Sequence, residues 1–203
     1  MGLSFFQPAP QEPSPSSTPG PSLRTGKKAP WAGPLQSDPS NIIQLDMLVA
    51  SSDVAEVVLN KIGVYADGYL FDVGAVARPP FAHSDEESRR KWRIDRMDSL
   101  RKNEPGSLPE GLLRLGVQLP DGRKATTLDY VIAPIDQPPG VVFMEIAGAG
   151  YLIKDNVISV RHSLWLWPIP PPGGLDIVTE WPAFGIPTTR TNIDGDRFIG
   201  SVW

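Results

Sequence analysis

Two Asp-Gly dipeptides, each between runs of alternating apolar and polar residues, indicate that this chain folds through β-hairpins. The first, Asp67-Gly68, separates two strand-like arms, Glu56–Ala66 and Tyr69–Arg78. Asp-Gly is among the strongest hairpin signals, because both central residues of a type I′ turn adopt positive φ. In the second arm every other residue from Tyr69 to Ala77 is apolar, as in a strand with one buried face.

The second dipeptide, Asp121-Gly122, closes a predicted hairpin between Leu113–Leu119 and Arg123–Leu128. Four further β-rich runs are Gly140–Ile146, Val157–Trp167, Leu175–Trp181 and Ile186–Ile193. Seven or eight short strands joined by glycine and proline turns predict an all-β fold. The expected architecture is an antiparallel two-sheet β-sandwich, immunoglobulin-like or jelly-roll-like, with one short helical or mobile insertion.

Residues 1–40 differ in composition from the rest of the chain, since they hold nine of its 23 prolines and seven serines. Proline fixes φ and has no amide proton to donate, so this segment is predicted to be a disordered tail. The β-sandwich domain is then expected to span 41–203. Within it, 83–110 is a charged insertion, and Ser84 followed by three acidic residues indicates a short helix at its start.

Two apolar islands, Leu3–Phe6 and Pro30–Ala32, interrupt the predicted tail. One interpretation is a plain solubilising tail. The other is a tether whose aromatic side chains dock, either back onto the domain or onto a partner, because aromatic anchors in a disordered segment often mark coupled folding and binding. The side chains concerned are Phe5, Phe6 and Trp31.

Composition excludes several classes of protein. The chain has no cysteine, which excludes disulfide scaffolds and zinc-thiolate sites. The formal net charge of −4 argues against a general nucleic-acid binder, although 89–102 is locally basic. No apolar run approaches the roughly 18–20 residues that a membrane-spanning helix needs. With no recognisable export signal, we expect a cytoplasmic protein that binds a protein partner, and neither nucleic acid nor membrane, without a metal or cofactor.

Catalytic patterns are weak, and no catalytic residue is predicted. The two histidines are His83 and His162. His162 and Ser163 are neighbours on a predicted strand and therefore point to opposite faces, which disfavours a nucleophile and base pair. A β-sandwich hydrolase stays open as an alternative and would need two carboxylates about 5–10 Å apart in a cleft. The candidates are Glu145, Asp176 and Glu180.

The tryptophan-rich strand offers the strongest candidate surface. Alternation along Val157–Trp167 places its leucines on one face, and Arg161, Trp165 and Trp167 on the other. The tryptophans form either an exposed platform for sugars or proline-rich peptides, or a buried face covered by other segments. We expect Trp165 to lie beneath a loop and Trp167 to be more exposed, because Pro168 stops the strand pairing beside it. The candidate binding residues are Arg161, Trp165 and Trp167 on this strand, and Phe5, Phe6 and Trp31 in the tail.

Four strings carry a resemblance to a known group of proteins. They are PWAGP (30–34), VYADGYLFD (64–72), LLRLGVQLPDGRKAT (112–126) and LWLWPIPPPGGLDIVTEWPAFGIPTTR (164–190). With them the chain resembles a family of uncharacterised actinobacterial proteins that share a Pro-rich start and a glycine-rich stretch before the tryptophan-rich strand. The resemblance covers most of the chain and implies no activity. In this chain the glycine-rich stretch is Ala147–Gly150, which we predict to be a flexible loop.

Together these features predict a non-enzymatic, intracellular β-sandwich interaction module with a disordered Pro-rich tail. Two alternatives remain open. One is the β-sandwich hydrolase, which would need a deep pocket with convergent acids. The other is a carbohydrate-binding module that uses the tryptophan face.

Overall fold

A computed structural model describes residues 5–7, 29–78, 108–129, 140–154 and 157–195. These ranges contain nine strands, and two short 3-10 turns at Pro30–Ala32 and Pro182–Phe184. The strands are β1 (Asn41–Ser51), β2 (Ala55–Val64), β3 (Tyr69–Ala77), β4 (Arg114–Gln118), β5 (Lys124–Thr126), β6 (Val142–Lys154), β7 (Val157–Trp167), β8 (Leu175–Trp181) and β9 (Ile186–Ile193). The all-β prediction is confirmed.

The strands form two antiparallel sheets that pack face to face, which confirms the predicted β-sandwich. The five-stranded sheet has the order β1-β2-β3-β7-β6, and the four-stranded sheet has the order β5-β4-β8-β9. Their inner faces share one hydrophobic core, to which both sheets contribute fully buried rings such as Phe71 and Trp181. Hydrogen bonds also join the sheets: the Thr191 hydroxyl donates to the Val49 carbonyl oxygen at 2.7 Å.

The first predicted hairpin is confirmed, but its turn differs from the expected type. Val64 pairs with Tyr69 across the turn, while neither Asp67 nor Gly68 has a positive φ. Glycine is needed at this turn for space. A Cβ on Gly68 would lie 2.7 Å from Cζ2 of Trp165 and would also collide with the backbone of β7.

The second hairpin is confirmed at Asp121-Gly122. The Leu119 amide donates to the Arg123 carbonyl oxygen at 2.8 Å, and Gly122 adopts a φ of +86°. Left-handed backbone of this kind is open to glycine without steric cost. The strands on either side, β4 and β5, are shorter than the predicted arms.

The glycine-rich stretch Ala147–Gly150 is not the flexible loop that the sequence suggested. It lies inside β6, which continues to Lys154, and Gly150 pairs with Arg161 of β7. The register of the β6–β7 pair shifts on both sides of Ala147. Glycine inside a strand often marks such a bulge, so this stretch interrupts regular pairing without ending the strand.

Other predictions fall on residues that the structure does not describe. Most of the charged insertion at 83–110 lies outside the described residues, as do His83, the basic run at 89–102 and residues 8–28 of the predicted tail. In the described ranges, no helix has the length and apolar character to span a membrane.

Candidate binding surfaces

The outer face of the five-stranded sheet is covered at its tryptophan end. Trp165 is fully buried, and its indole N–H donates to the Pro30 carbonyl oxygen at 2.9 Å. The Trp31 ring meets the Trp167 ring edge to face, with centroids 5.8 Å apart. Tyr65 packs edge to face against the other side of the cluster, 5.6 Å from Trp165. The exposed aromatic platform is therefore not what forms here.

The expected difference between the two tryptophans is confirmed. Trp165 lies beneath the 3-10 turn at Pro30–Ala32, whereas Trp167 at the end of β7 is half-buried. Trp31 itself is 5% exposed, so this aromatic island docks back onto the sandwich. The candidate binding residues Trp165 and Trp31 are therefore buried by contacts within the chain and are not available to a ligand in this arrangement.

The second aromatic island docks on the outer face of the four-stranded sheet. The Phe5 ring covers Gly116, where a Cβ would lie 2.5 Å from Cε1 of Phe5. Lys124 Nζ and Arg190 Cζ lie 5.3 and 5.1 Å from the centroid of the same ring. Phe6 is 3% exposed and is buried in a small apolar cluster. The other members of that cluster are Leu108, Leu112, Leu128 and Val178.

The covered face explains why both sides of β4 are buried, although its apolar residues alternate with Arg114, Gly116 and Gln118. Arg114 on the outer side is only 7% exposed and pairs with Glu180 of β8 through Nη1 and Oε1. The same guanidinium donates to the Pro109 carbonyl oxygen at 3.1 Å, and Thr188 donates to the second oxygen of Glu180. A buried charge needs such partners, so this network is structural.

The three candidate carboxylates of the hydrolase alternative do not converge. Glu145 lies on the five-stranded sheet, with Oε1 3.2 Å from Nδ1 of His162. Asp176 and Glu180 lie on β8, four residues apart, which corresponds to about 13 Å along a strand. Asp176 accepts a hydrogen bond from Asn192 at 2.8 Å. Each acid therefore has its own partner, and none faces another across a cleft.

The opposite end of the same outer face carries an open, shallow groove of about 630 Å³. Arg161 is the one candidate binding residue that lines it, and its side chain is 63% exposed. Gly74 and Ser159 form part of its floor, and Leu152 lies at its β6 side. A row of paired residues crosses the sheet here, from Leu48 of β1 through Val58, Gly74 and Arg161 to Gly150 of β6.

A polar network fixes Arg161 at this point. Asp72 of β3 accepts hydrogen bonds from Nε of Arg161 at 3.0 Å and from Nη2 at 2.5 Å. The Asn60 amide donates to the same carboxylate at 3.0 Å. Asp72 is largely covered, with a side chain 13% exposed, so the guanidinium is held from below and open above.

Two backbone irregularities shape the groove. The β2–β3 register shifts between Leu59 and Lys61, so that Asn60 lies at the irregularity, where its amide reaches Asp72. The β1–β2 register shifts between Gln44 and Met47, where Asp46 adopts a φ of +46°. Bulges re-aim side chains and are frequent beside functional sites.

The charge state of the network follows from its hydrogen bonds. Burial alone would raise the pKa of Asp72, but the hydrogen bonds from Arg161 and Asn60, and the charges of Arg161 and Lys61, outweigh it, so that the pKa lies below its ordinary value of 3.8. The hydrogen bond to Asp72, together with its charge, raises the pKa of Arg161. The pair is therefore ionised at neutral pH.

Sequence reasoning found Arg161 but missed the residues that hold it. Asp72 and Gly74 lie between the apolar residues of the β3 alternation, and their pairing with β7 places them beside Arg161. Asn60 gave no signal, because a single asparagine on a strand does not indicate which residue of the neighbouring strand it contacts. The described residues contain no group of three histidines or acids that could hold a metal ion.

Comparison with known proteins adds no relative to this description. No protein-family model matches the chain, and the search of curated proteins finds no match. Proposals about function therefore depend on the geometry of the surfaces themselves.

Proposed function

We propose that this protein is a non-enzymatic interaction module that binds a protein partner through the groove around Arg161. The observation that carries the proposal is a fixed, outward-facing guanidinium in an open groove, on a molecule whose other candidate aromatic sites are covered. Arginine has five N–H donors, and Asp72 accepts from two of them. The remaining donors are available to carbonyl or carboxylate oxygens of an incoming chain.

Apolar side chains on the strands that bound the groove support a protein ligand. Leu48 of β1 is 52% exposed and Leu152 of β6 is 60% exposed. Both lie on the outer face by their register, Leu48 in the row of Arg161 and Leu152 opposite Ser159. Polar groups that orient a ligand, with apolar contacts on either side, are the usual composition of a recognition surface.

The two alternatives have less support. A carbohydrate site normally stacks aromatic rings on sugar faces, and the described groove lining has no aromatic side chain. A carboxylate-based hydrolase needs two acids in one cleft, whereas the groove lining contains one acid, Asp46, and the neighbouring Asp72 is engaged by Arg161. An acid held by a guanidinium is a poor general base.

Two further parts of the proposal come from the sequence alone. The net charge of −4 favours a protein partner over nucleic acid, and the absence of cysteine is consistent with a cytoplasmic location. We also propose kinship with the actinobacterial family that shares the tryptophan-rich string. Cell fractionation of the native organism, with detection of the untagged protein, tests the location.

The test of the binding proposal compares two single substitutions of exposed arginines. Arg161→Ala removes the groove guanidinium, and Arg123→Ala is the matched control, because Arg123 has a 42% exposed side chain and is paired with Asp121 in the β4–β5 turn, away from the groove. Quantitative affinity capture from the native cell identifies proteins retained by the wild type, and titration of each purified protein then gives its Kd. We expect Arg161→Ala to weaken binding about tenfold or more and Arg123→Ala to leave it unchanged. The proposal would be contradicted if the wild type, Arg161→Ala and Arg123→Ala bound the captured proteins equally well.

A further inference from the structure

The Phe5–Phe6 site has the construction of a peptide-binding site that is already filled. Its floor is the backbone of Gly116, and the absence of a side chain there makes room for the Phe5 ring. Its walls are Lys124 of β5, next to β4, and Arg190 of β9, on the far side of β8. A cation within about 6 Å of a ring centroid attracts the face of the ring. An aromatic ring at this position therefore gains cation–π contacts that an aliphatic side chain would lack.

The neighbouring subsite is apolar and takes the second ring. Phe6 packs with Leu112, Leu128 and Val178, and contacts Phe5 edge to face with centroids 5.1 Å apart. Two adjacent aromatic residues thus occupy two adjacent subsites of different chemistry. This is the pattern of short-peptide recognition by pockets for successive side chains.

The connection between this segment and the domain is long. From Gln7 to Lys28, 22 residues separate Phe6 from Ala29. Such a length reaches about 75 Å when extended. The effective concentration of a ligand on a connection of this length is on the order of millimolar, so a free segment of equal affinity at that concentration takes half of the sites, and a tighter one takes more.

We infer that the outer face of the four-stranded sheet is a binding site for a polypeptide segment with two adjacent aromatic residues, and that Phe5 and Phe6 occupy it as a tethered competitor. The partner segment has the same chemistry as the tail, with one ring between Lys124 and Arg190 and the other on Val178. This site is independent of the Arg161 groove, which lies on the other sheet. Failure of one proposal leaves the other standing.

The test uses the full chain and a defined probe. The probe is a fluorescent peptide of residues 1–8, MGLSFFQP, titrated by anisotropy into the wild type and into the double variant Phe5→Ala/Phe6→Ala. The double variant should bind the peptide saturably. The wild type should bind it at least about tenfold more weakly, by the factor of one plus the ratio of the effective tail concentration to the intrinsic Kd.

Two controls locate the site and its preference. Adding Gly116→Ala to the double variant should abolish binding, because the new Cβ would lie 2.5 Å from the Phe5 position. A peptide with Leu-Leu in place of Phe-Phe should bind at least several-fold more weakly, because it lacks the ring face that the two cations attract. Equal affinity of the two peptides would overturn the aromatic selectivity.

The proposal is overturned if the double variant does not bind the peptide, or if it binds no more tightly than the wild type. Where the double variant is unstable, Phe5→Ala alone serves, since Phe5 is only half-buried. For that variant the peptide should raise the melting temperature in a concentration-dependent way, and the Leu-Leu peptide should raise it less. A melting temperature that neither peptide changes would also overturn the proposal. Dimerisation of the wild type at high concentration without peptide would show instead that the segment exchanges between copies, and would overturn the assignment to a separate partner.

Discussion

The outer face of β7 is covered at one end and open at the other, although the strand has the same alternation throughout. At the covered end, Trp165 and Trp167 meet the turn at Pro30–Ala32. At the open end, Arg161 lies in a groove and is held by Asp72. The difference arises from the side chains, because large apolar rings gain free energy by leaving water and a charged group does not. Residues distant in sequence therefore pack on the tryptophan rings and leave Arg161 exposed.

The tryptophan end of β7 shows that aromatic residues on the outer face of a sheet need not form a binding surface. Tryptophans that alternate with leucines on a strand suggest a binding platform, yet here the chain supplies its own cover 135 residues away. The polar residues beside them gave a weaker signal and form the open surface. Aromatic residues in a Pro-rich segment should therefore be tested first for contacts with their own domain, before a separate partner is sought.

The largest expected effect is at the covered end. Trp165→Ala should lower the free energy of unfolding by about 3–5 kcal/mol, because it empties a fully buried site and removes the indole bond to Pro30. Denaturant titration measures it, with Trp167→Ala as the matched control. Trp167 is half-buried, so its loss should be clearly smaller. Equal losses would mean that the two tryptophans are covered alike.

A smaller effect is expected where the first hairpin meets the tryptophan. Gly68→Ala should cost about 1–3 kcal/mol, because the added Cβ would lie 2.7 Å from Cζ2 of Trp165 and force the turn away from β7. Gly140→Ala is the control, since nothing lies within 4 Å of a Cβ built there. Thermal melts of both variants decide the point. A Gly68 variant as stable as the Gly140 variant would show that the close approach is not a constraint.

At the open end, the contribution of Asp72 to stability should depend on pH, and its substitution should have only a small effect. The pKa of Asp72 is lowered in the folded state, so its contribution to stability is complete above its ordinary value of 3.8 and is lost as pH falls through the folded-state pKa. Asp72→Asn should therefore be less stable than the wild type by about 1 kcal/mol at neutral pH, as for a partly exposed ion pair. Chemical denaturation from pH 7 to pH 2 should show this difference shrinking below pH 4. A difference in stability that grows as the pH falls would contradict the prediction, because it would mean that the folded state does not lower the pKa of Asp72.

Local pattern predicted much of the fold and little of the surface. The bounds of β7, β8 and β9 and both hairpin positions follow from alternation and turn residues, which depend on neighbours in sequence. The sequence did not predict that β6 continues through Gly150, because the glycines suggested a loop and the pairing with β7 that extends the strand is not visible in the sequence. The covers by Trp31 and Phe5, and the hydrogen bond from Asn60 to Asp72, depend on contacts between different strands and segments. No periodicity within a single strand encodes them.

The central claim is that recognition occurs at the arginine end of this face and not at the tryptophan end. Site-specific photo-crosslinking in the native cell tests it most directly, with a photoreactive amino acid in place of Ser159 in one chain and of Trp167 in another. Both variants should melt close to the wild type before they are compared. We expect a crosslinked product of higher mass from position 159 and none from position 167. Products from position 167 and none from position 159 would contradict the account.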